Sequence, residues 1–166
     1  MRLRIWFIAL SGLLVAACSG GYSFTGGDVG EAKTLSVASF DNQADLVNPQ
    51  LAGLLTEGIQ DVMVRQSPLK LVPRDGDMQL SGSVVQYEVR AEAPKAGDAL
   101  AQSRLNMVVR VQMVNVVEEG KDFSQTFNSF RNFPTTQSLA EVEDALIEEM
   151  VDELAQKIFN RALVQW

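Results

Sequence analysis

The residue types that most often perform covalent chemistry in proteins are scarce in this sequence, which contains one cysteine, Cys18, and no histidine. A reactive cysteine needs surroundings that favour its thiolate form, and histidine is the usual neighbouring base. The lack of histidine therefore excludes the serine–histidine and cysteine–histidine nucleophiles, and it excludes imidazole as a metal ligand. With a single cysteine, no intramolecular disulfide can form. Two interpretations of Cys18 remain from its type alone: a small buried side chain and a site of covalent modification.

The sequence before Cys18 distinguishes these interpretations. Arg2 and Arg4 are followed by a short apolar stretch that ends in "LVAA", immediately before the cysteine. This order of basic, apolar and small residues is typical of an export signal, and the apolar part is shorter than the about 20 residues that span a membrane. The segment resembles the bacterial lipoprotein signal, in which an aliphatic residue lies three positions before the cysteine. That resemblance implies that residues 1–17 are cleaved and that Cys18 is the lipid attachment site, with diacylglycerol on its thiol and an acyl chain on its new amino group.

The bulk composition indicates one acidic domain. The chain carries 14 basic and 21 acidic residues and has a formal net charge of −7, and cleavage of the signal would make it more acidic still. Such a charge disfavours binding to nucleic acid, which depends on basic side chains that neutralise phosphates. Residues 33–166 are long enough to form a single domain with its own core. Residues 18–32 are rich in glycine and are predicted to form a lipidated tether.

No motif for a cofactor, a metal ion or catalysis stands out. Asp75 and Asp77 flank a glycine, but the sequence lacks the further oxygen ligands of a calcium loop, so this stretch is predicted to be a turn. Acidic residues crowd the first half of the last predicted helix, residues 141–153. They predict a solvated helix face, and a cation site is the alternative. The sequence therefore predicts no metal site, no cofactor other than the acyl chains at Cys18, and no enzymatic activity.

The periodicity of apolar residues predicts an α+β fold. Alternation with a period of two is clearest in "RLNMVVRVQMVNV", and Ser138 with Glu141 forms a capping-box pattern ahead of the longest helical stripe. A change of parity near Gly82–Val85 predicts a bulge or a change of the exposed face. In chain order the predicted elements are strand Lys33–Phe40, helix Pro49–Gln66 with Asn48 as its N-cap, strands Leu69–Val72, Met78–Ala93, Arg104–Val116 and Asp122–Phe133, and helix Leu139–Val164. Their order predicts two helices packed on one face of a mostly antiparallel sheet of four to five strands.

Four stretches together resemble the LptE family of lipopolysaccharide-assembly lipoproteins. They are "CSGGYSFTG", "LVNPQLAGLLTEGIQDVM", "LVPRDGDMQLSGSVVQY" and "SLAEVEDALIEEMVDELAQKIFNRALVQW", and they are most similar to the branch found in Bacteroidetes. The resemblance implies a fold of two helices on a four-stranded sheet. It also implies a lipid-anchored protein on the periplasmic face of the outer membrane. Such a protein plugs the large LptD-type β-barrel and helps to assemble it for lipopolysaccharide transport to the outer leaflet.

The resemblance further implies contact with lipopolysaccharide, whose phosphates basic side chains would bind by charge-assisted hydrogen bonds. This sequence departs from that pattern because it lacks a dense basic cluster. The candidates for the contact lie on or beside the predicted central hairpin: Arg90, Lys95, Arg104 and Arg110. The alternative is that these side chains only increase solubility.

A second interpretation is a periplasmic lipoprotein that activates or scaffolds another envelope complex. A strand, a helix and "LKLVPRDGDMQLSGSV" also resemble CsgG-like and TolB N-terminal modules. The tether distinguishes the two interpretations, because the first predicted strand begins soon after Cys18 and a flexible linker of that length spans roughly 20 Å. A domain so close to its anchor stays at the membrane surface, which favours the barrel partner. Ser19 is also typical of lipoproteins that some bacteria send to the outer membrane.

Overall fold

The computed structural model describes residues 29–46, 48–92 and 101–164. Its elements in chain order are strands β1 (Thr34–Val37) and β2 (Asp41–Asn42), helix α1 (Leu51–Gln66), strands β3 (Lys70–Leu71), β4 (Met78–Glu92), β5 (Gln102–Asn115) and β6 (Phe123–Pro134), and helix α2 (Leu139–Leu163). Each predicted helix and strand has a counterpart among these elements. The predicted lipid site Cys18 and the candidate contact Lys95 lie outside the described residues.

The strands form one mixed sheet in the order β3–β1–β4–β5–β6, and β2 pairs with β4 as well. The pairings of β1 and β2 are parallel, whereas β4, β5 and β6 form a long antiparallel meander. The predicted α+β fold is confirmed, and most paired residues of the sheet are antiparallel. The sheet has six strands rather than four to five because the chain forms the short strand β2 before it crosses over through α1. A helical crossover of this kind joins parallel strands.

The central strand of the meander, β5, divides the sheet into a buried and an open face. Its odd-numbered side chains are fully buried in the core with the helices: Leu105, Met107, Val109, Val111 and Met113. Burial of an apolar side chain of this size is worth about 1.5–3 kcal/mol, so this row contributes strongly to the stability of the fold. The strict alternation predicted for this stretch is confirmed.

A bulge in β4 changes which side chains face the core. The pairing of β4 with β5 shifts register between Val84 and Gln86, where the sequence predicts an irregularity. Just before the shift, a Cβ at Gly82 would collide with the carbonyl oxygen of Arg110 and with the Phe40 ring. The missing side chain therefore makes room for Phe40, which is buried in the core.

The two helices approach each other closely at Gly58 of α1. A Cβ at this position would collide with the side chain of Val151 in α2, and Val151 is itself buried. Glycine is unfavourable inside a helix by about 1 kcal/mol relative to alanine, and the close helix packing explains its presence here. Among the described residues, neither helix is long and apolar enough to cross a membrane.

The predicted capping box of α2 is confirmed, whereas the predicted N-cap of α1 is wrong. At α2, the Glu141 carboxylate accepts a hydrogen bond from the Ser138 N–H at 2.7 Å, which confirms the capping box. The hydrogen bonds from Ser138 also lower the pKa of Glu141. At α1 the N-cap is Gln50 rather than Asn48, and Asn48 Oδ1 accepts from the Gln50 N–H at 3.0 Å within the preceding turn. The helix then begins at Leu51, later than predicted, because a turn precedes it.

Candidate functional site

The face of the sheet opposite the helices is open and mainly polar. Cross-strand pairing brings uncharged polar side chains of β4, β5 and β6 together on it: Ser81, Ser83, Asn106, Gln112, Thr126 and Asn128. Hydroxyl and amide groups can both donate and accept hydrogen bonds. We call these residues, together with the arginines that lie among them, the open face. This face therefore suits a polar and hydrated partner.

Arg90 and Arg104 lie directly opposite each other at the hairpin end of β4 and β5. Arg104 forms an ion pair with Glu92 at 2.9 Å, and its guanidinium carbon lies 4.3 Å from the centroid of the Phe130 ring. Arg90 forms an ion pair with Glu88. Each of the two arginines thus has a carboxylate partner, so this end of the open face has little net positive charge.

Arg110 lies on the same face of β5 as Arg104. A strand rises about 3.3 Å per residue, so the two arginines are roughly 20 Å apart. Its cross-strand neighbours are Ser83 and Thr126. The side chain is exposed, and it has no hydrogen bond or ion pair within the part of the chain that the structure describes. Of the three candidate basic residues that the structure describes, Arg90 and Arg104 therefore lie together, and Arg110 lies apart from them.

A second polar group, absent from the sequence-based predictions, joins β6 to α2. Glu153 accepts hydrogen bonds from Ser129 Oγ at 2.8 Å and from Arg131 at 2.6 Å, and it forms an ion pair with Lys157 at 2.5 Å. Arg131 also pairs with Glu149 at 2.8 Å. We call these five residues the edge cluster, because β6 is the last strand of the sheet. The signal that could have revealed it is Arg131, a charged residue at a core-facing position of β6.

The edge cluster is ionised at neutral pH. Burial alone would raise the pKa of Glu153, but the hydrogen bonds from Lys157, Arg131 and Ser129 outweigh it and lower the pKa to about 2. Hydrogen bonds to Glu153 and Glu149 in turn raise the pKa of Arg131. The cluster therefore holds β6 and α2 together as charged groups, which gain more from short hydrogen bonds than neutral groups do.

A partly buried hydrogen bond from a core tyrosine fixes the start of α2 on the sheet. Tyr87 is only 1% exposed, and its hydroxyl donates to Glu143 Oε1 at 2.7 Å. The same oxygen accepts from Asn48 Nδ2 at 3.0 Å. Burial raises the pKa of Tyr87, and the hydrogen bond to Glu143 raises it further, so the phenol remains a donor. One carboxylate thus joins β4, α2 and the turn before α1.

The prediction of a solvated acidic face on α2 is correct for part of the helix. Asp144, Glu148 and Asp152 are exposed and line a cleft of about 360 Å³ between the two helices, together with Gln50 and Leu54. Glu143 and Glu153 instead turn toward the sheet. Within residues 29–46, 48–92 and 101–164, no group of three or more His, Cys, Asp or Glu side chains could hold a metal ion.

The chain is similar to proteins of known family and fold. Residues 32–162 match the model of the family described as LptE: Lipopolysaccharide-assembly. A similar fold occurs in uncharacterized lipoprotein B from Nitrosomonas europaea, with 12% identity, a TM-score of 0.53, and coverage of 77% of this chain and 80% of that chain. Another occurs in the hypothetical protein CT253 from Chlamydia trachomatis, with 8% identity, a TM-score of 0.50, and coverage of 78% and 95%. At these identities the two structures share the fold alone. No curated protein matches this chain.

We predict that Glu153→Gln destabilises the protein at neutral pH and that this loss disappears in acid. The pKa of Glu153 falls from an ordinary value of 4.5 to about 2 in the folded protein. Its contribution is therefore present above about pH 4.5 and is lost as the pH falls toward 2. Because 34% of the side chain is exposed, solvent screening limits the expected loss to about 1 kcal/mol.

Urea unfolding of the wild type and Glu153→Gln between pH 2 and pH 7 measures this difference. Glu148→Gln, which changes an exposed carboxylate on the same helix, is the matched control and should change the free energy of unfolding little. A loss for Glu153→Gln that stays constant across the whole pH range would contradict the proposed ionic contacts.

Proposed function

The chain belongs to the LptE family of lipopolysaccharide-assembly proteins, and from this premise we propose that it is an outer-membrane lipoprotein that plugs an LptD-type β-barrel. In this role it helps to assemble the barrel for lipopolysaccharide transport to the outer leaflet. The family match over residues 32–162 is the observation that carries the proposal. The protein then acts by binding and scaffolding rather than by catalysis, and it requires no cofactor beyond the acyl chains at Cys18.

The polarity of the open face supports a position inside a barrel. The interior of a large outer-membrane barrel is polar and contains water. The hydroxyl and amide side chains of β4, β5 and β6 can exchange hydrogen bonds with such a wall directly or through bridging water. The apolar side chains of β5 are sealed beneath the helices on the other face. The domain can therefore enter the lumen as a folded unit, without exposing its core.

The position of the first described residues supports an anchor close to the domain. The Glu31 N–H donates to Glu118 Oε1 at 2.9 Å, which holds the incoming chain at the turn between β5 and β6. Cys18 precedes Val29 by only a short, glycine-rich segment, and a flexible chain of that length spans roughly 18 Å. In this proposal the β5–β6 turn lies at the membrane-proximal end of the domain and the β4–β5 hairpin lies at the far end.

Arg110 is the described side chain best suited to contact a lipopolysaccharide phosphate. It is exposed, and it has no carboxylate partner among the described residues. The exposed hydroxyl group of Thr126 flanks it on the neighbouring strand and is placed to donate a further hydrogen bond to the same phosphate. Arg90 and Arg104 are weaker candidates because their charges are balanced by Glu88 and Glu92. Lys95 remains a candidate from the sequence.

We expect that affinity-tagged protein, purified from detergent-solubilised outer membranes, recovers one large β-barrel in a one-to-one ratio. A plug that lies in the lumen is surrounded by its partner, so the complex should withstand mild detergent and repeated washing. Quantitative mass spectrometry of the eluate measures the ratio, and an untagged strain is the control. Recovery of other envelope proteins without a barrel would instead support an activator or scaffold of another complex and overturn the plug.

We expect mass spectrometry of the mature protein to show a chain that begins at Cys18 and carries diacylglycerol and an N-linked acyl chain. Cys18→Ala should lack both modifications and should retain residues 1–17, because the thiol is the group that is alkylated. Fractionation of the two proteins between membrane and soluble material tests the anchor independently. A wild-type protein that is uncleaved and unmodified would refute the lipid site.

We expect Arg110→Gln to weaken binding of the full-length lipoprotein to purified lipopolysaccharide by about tenfold, the loss expected for one hydrogen bond to a charged group. Arg104→Gln should have a smaller effect, because Glu92 already pairs with Arg104. Arg65→Gln removes an exposed arginine on α1 that pairs with Asp61, and it is the matched control. Fluorescence titration in detergent micelles measures the affinities. Equal losses for Arg110→Gln and Arg65→Gln would contradict a specific contact.

A further inference from the structure

The cleft between the two helices contains an apolar surface that the domain itself leaves partly exposed. It has a volume of about 360 Å³, no strand residue lines it, and its walls come from the start of α1 and the first half of α2: Gln50, Leu54, Asp144, Glu148, Val151 and Asp152. Leu54 is 41% exposed, whereas Leu51 and Leu55 beside it are fully buried in the core. The cleft thus presents a leucine and a valine beside polar groups.

The carboxylates of α2 fall into two groups that differ in whether they have partners. Four of them are bound by other groups of the domain: Glu141, Glu143, Glu149 and Glu153. The other three line the cleft, and they form no hydrogen bond or ion pair within the part of the chain that the structure describes: Asp144, Glu148 and Asp152. The acidic side chains without partners are therefore the ones that face the apolar surface of the cleft.

The basic residues of the two helices lie elsewhere and do not neutralise the cleft. Arg65, in the last turn of α1, pairs with Asp61. In α2, Lys157 pairs with Glu153 and Arg161 contacts β6. The sequence has no lysine or arginine at positions 51–64 or 139–156, and the described lining of the cleft contains no basic side chain. The cleft is therefore a site of uncompensated negative charge, which attracts cationic groups.

This charge determines which kind of partner fits the cleft. The carboxylates would repel the phosphates of lipids and of lipopolysaccharide. Two copies of this chain that met at their clefts would bring like charges together, which opposes association. Among the described residues, no group of three or more acidic side chains could hold a metal ion. A protein segment with an apolar side chain among basic ones, by contrast, matches both the exposed leucine and the carboxylates.

We propose that the cleft between α1 and α2 binds a basic segment of the barrel partner. An apolar side chain of that segment packs against Leu54 and Val151, and its arginine or lysine side chains pair with Asp144, Glu148 and Asp152. These carboxylates follow one another at every fourth residue of the helix, a rise of about 6 Å, so cations at a similar spacing match all three. The barrel as the source of the segment rests on the proposed function, whereas its basic and apolar character rests on the cleft.

The test places a photo-cross-linking amino acid at Gln50 of the full-length lipoprotein. Gln50 is exposed in the cleft, and its side chain makes no capping hydrogen bond. In tagged protein purified from solubilised outer membranes, it should form an adduct with a barrel peptide that contains arginine or lysine. Asp144→Asn, Glu148→Gln and Asp152→Asn in one variant should lower the adduct per mole of recovered barrel by about tenfold, the combined loss expected for three partly exposed ion pairs.

The matched control makes the same change of net charge at exposed carboxylates outside the cleft, with Asp45→Asn, Asp75→Asn and Glu119→Gln, and it should leave the adduct unchanged. The cleft proposal is overturned, and the plug is left intact, if the barrel is recovered without an adduct or if both triple variants give equal adduct. An adduct with a second copy of this chain, or with a peptide that lacks basic residues, has the same meaning. A wild-type protein that recovers no barrel overturns the proposed function and this proposal together.

Discussion

The alternation of side chains along β5 is the constraint on which the rest of this structure depends. Five apolar residues at every second position of β5 are completely buried. If the pairing of β5 slipped by one residue, Arg104, Arg110 and their neighbours would take the buried positions. The register of the whole meander is thereby fixed. Both helices of the described residues pack on this buried face of the sheet. The other face must therefore satisfy its hydrogen bonds with water or with a partner, and its serine, threonine, asparagine and glutamine side chains meet that requirement.

Local patterns predicted the parts of the fold that local interactions determine. The capping box of α2, the alternation of β5 and the bulge in β4 all appear where the sequence places them. Strand β2 and the parallel pairing of β1 with β4 were not predicted, since a two-residue strand has no periodicity and its partner is distant in the chain. The close approach of Gly58 to Val151 is likewise a contact between two helices. A glycine within the helical stripe of α1 indicates close packing, but the pattern of α1 alone does not identify Val151 as the partner.

In the candidate site, too, the sequence predicted what depends on residues close together in the chain and missed what depends on residues far apart. Strand parity put Arg104 and Arg110 on one face, but their electrostatic surroundings depend on neighbours across the sheet. Glu92 and Phe130 contact Arg104, whereas Arg110 faces Ser83 and Thr126. In α2, the spacing of acidic residues indicated a solvated face, yet Glu153 is bound by Ser129 and Arg131 of β6. Burial opposes the ionised form of Glu153, and only several hydrogen bonds from separate elements can reverse that effect.

The contacts between α2 and β6 determine which backbone groups of the last strand have side-chain partners. The helix and the strand run in opposite directions, because Arg131 contacts Glu149 and Glu153 whereas Gln125 contacts Arg161. Lys157 donates to the carbonyl of Asn128, whereas Arg161, one helical turn further along, donates to the side chain of Gln125. The Tyr87–Glu143 hydrogen bond and the edge cluster hold α2 in this register. The contacts that stabilise the helix on the sheet thus also determine which backbone groups of β6 remain uncovered.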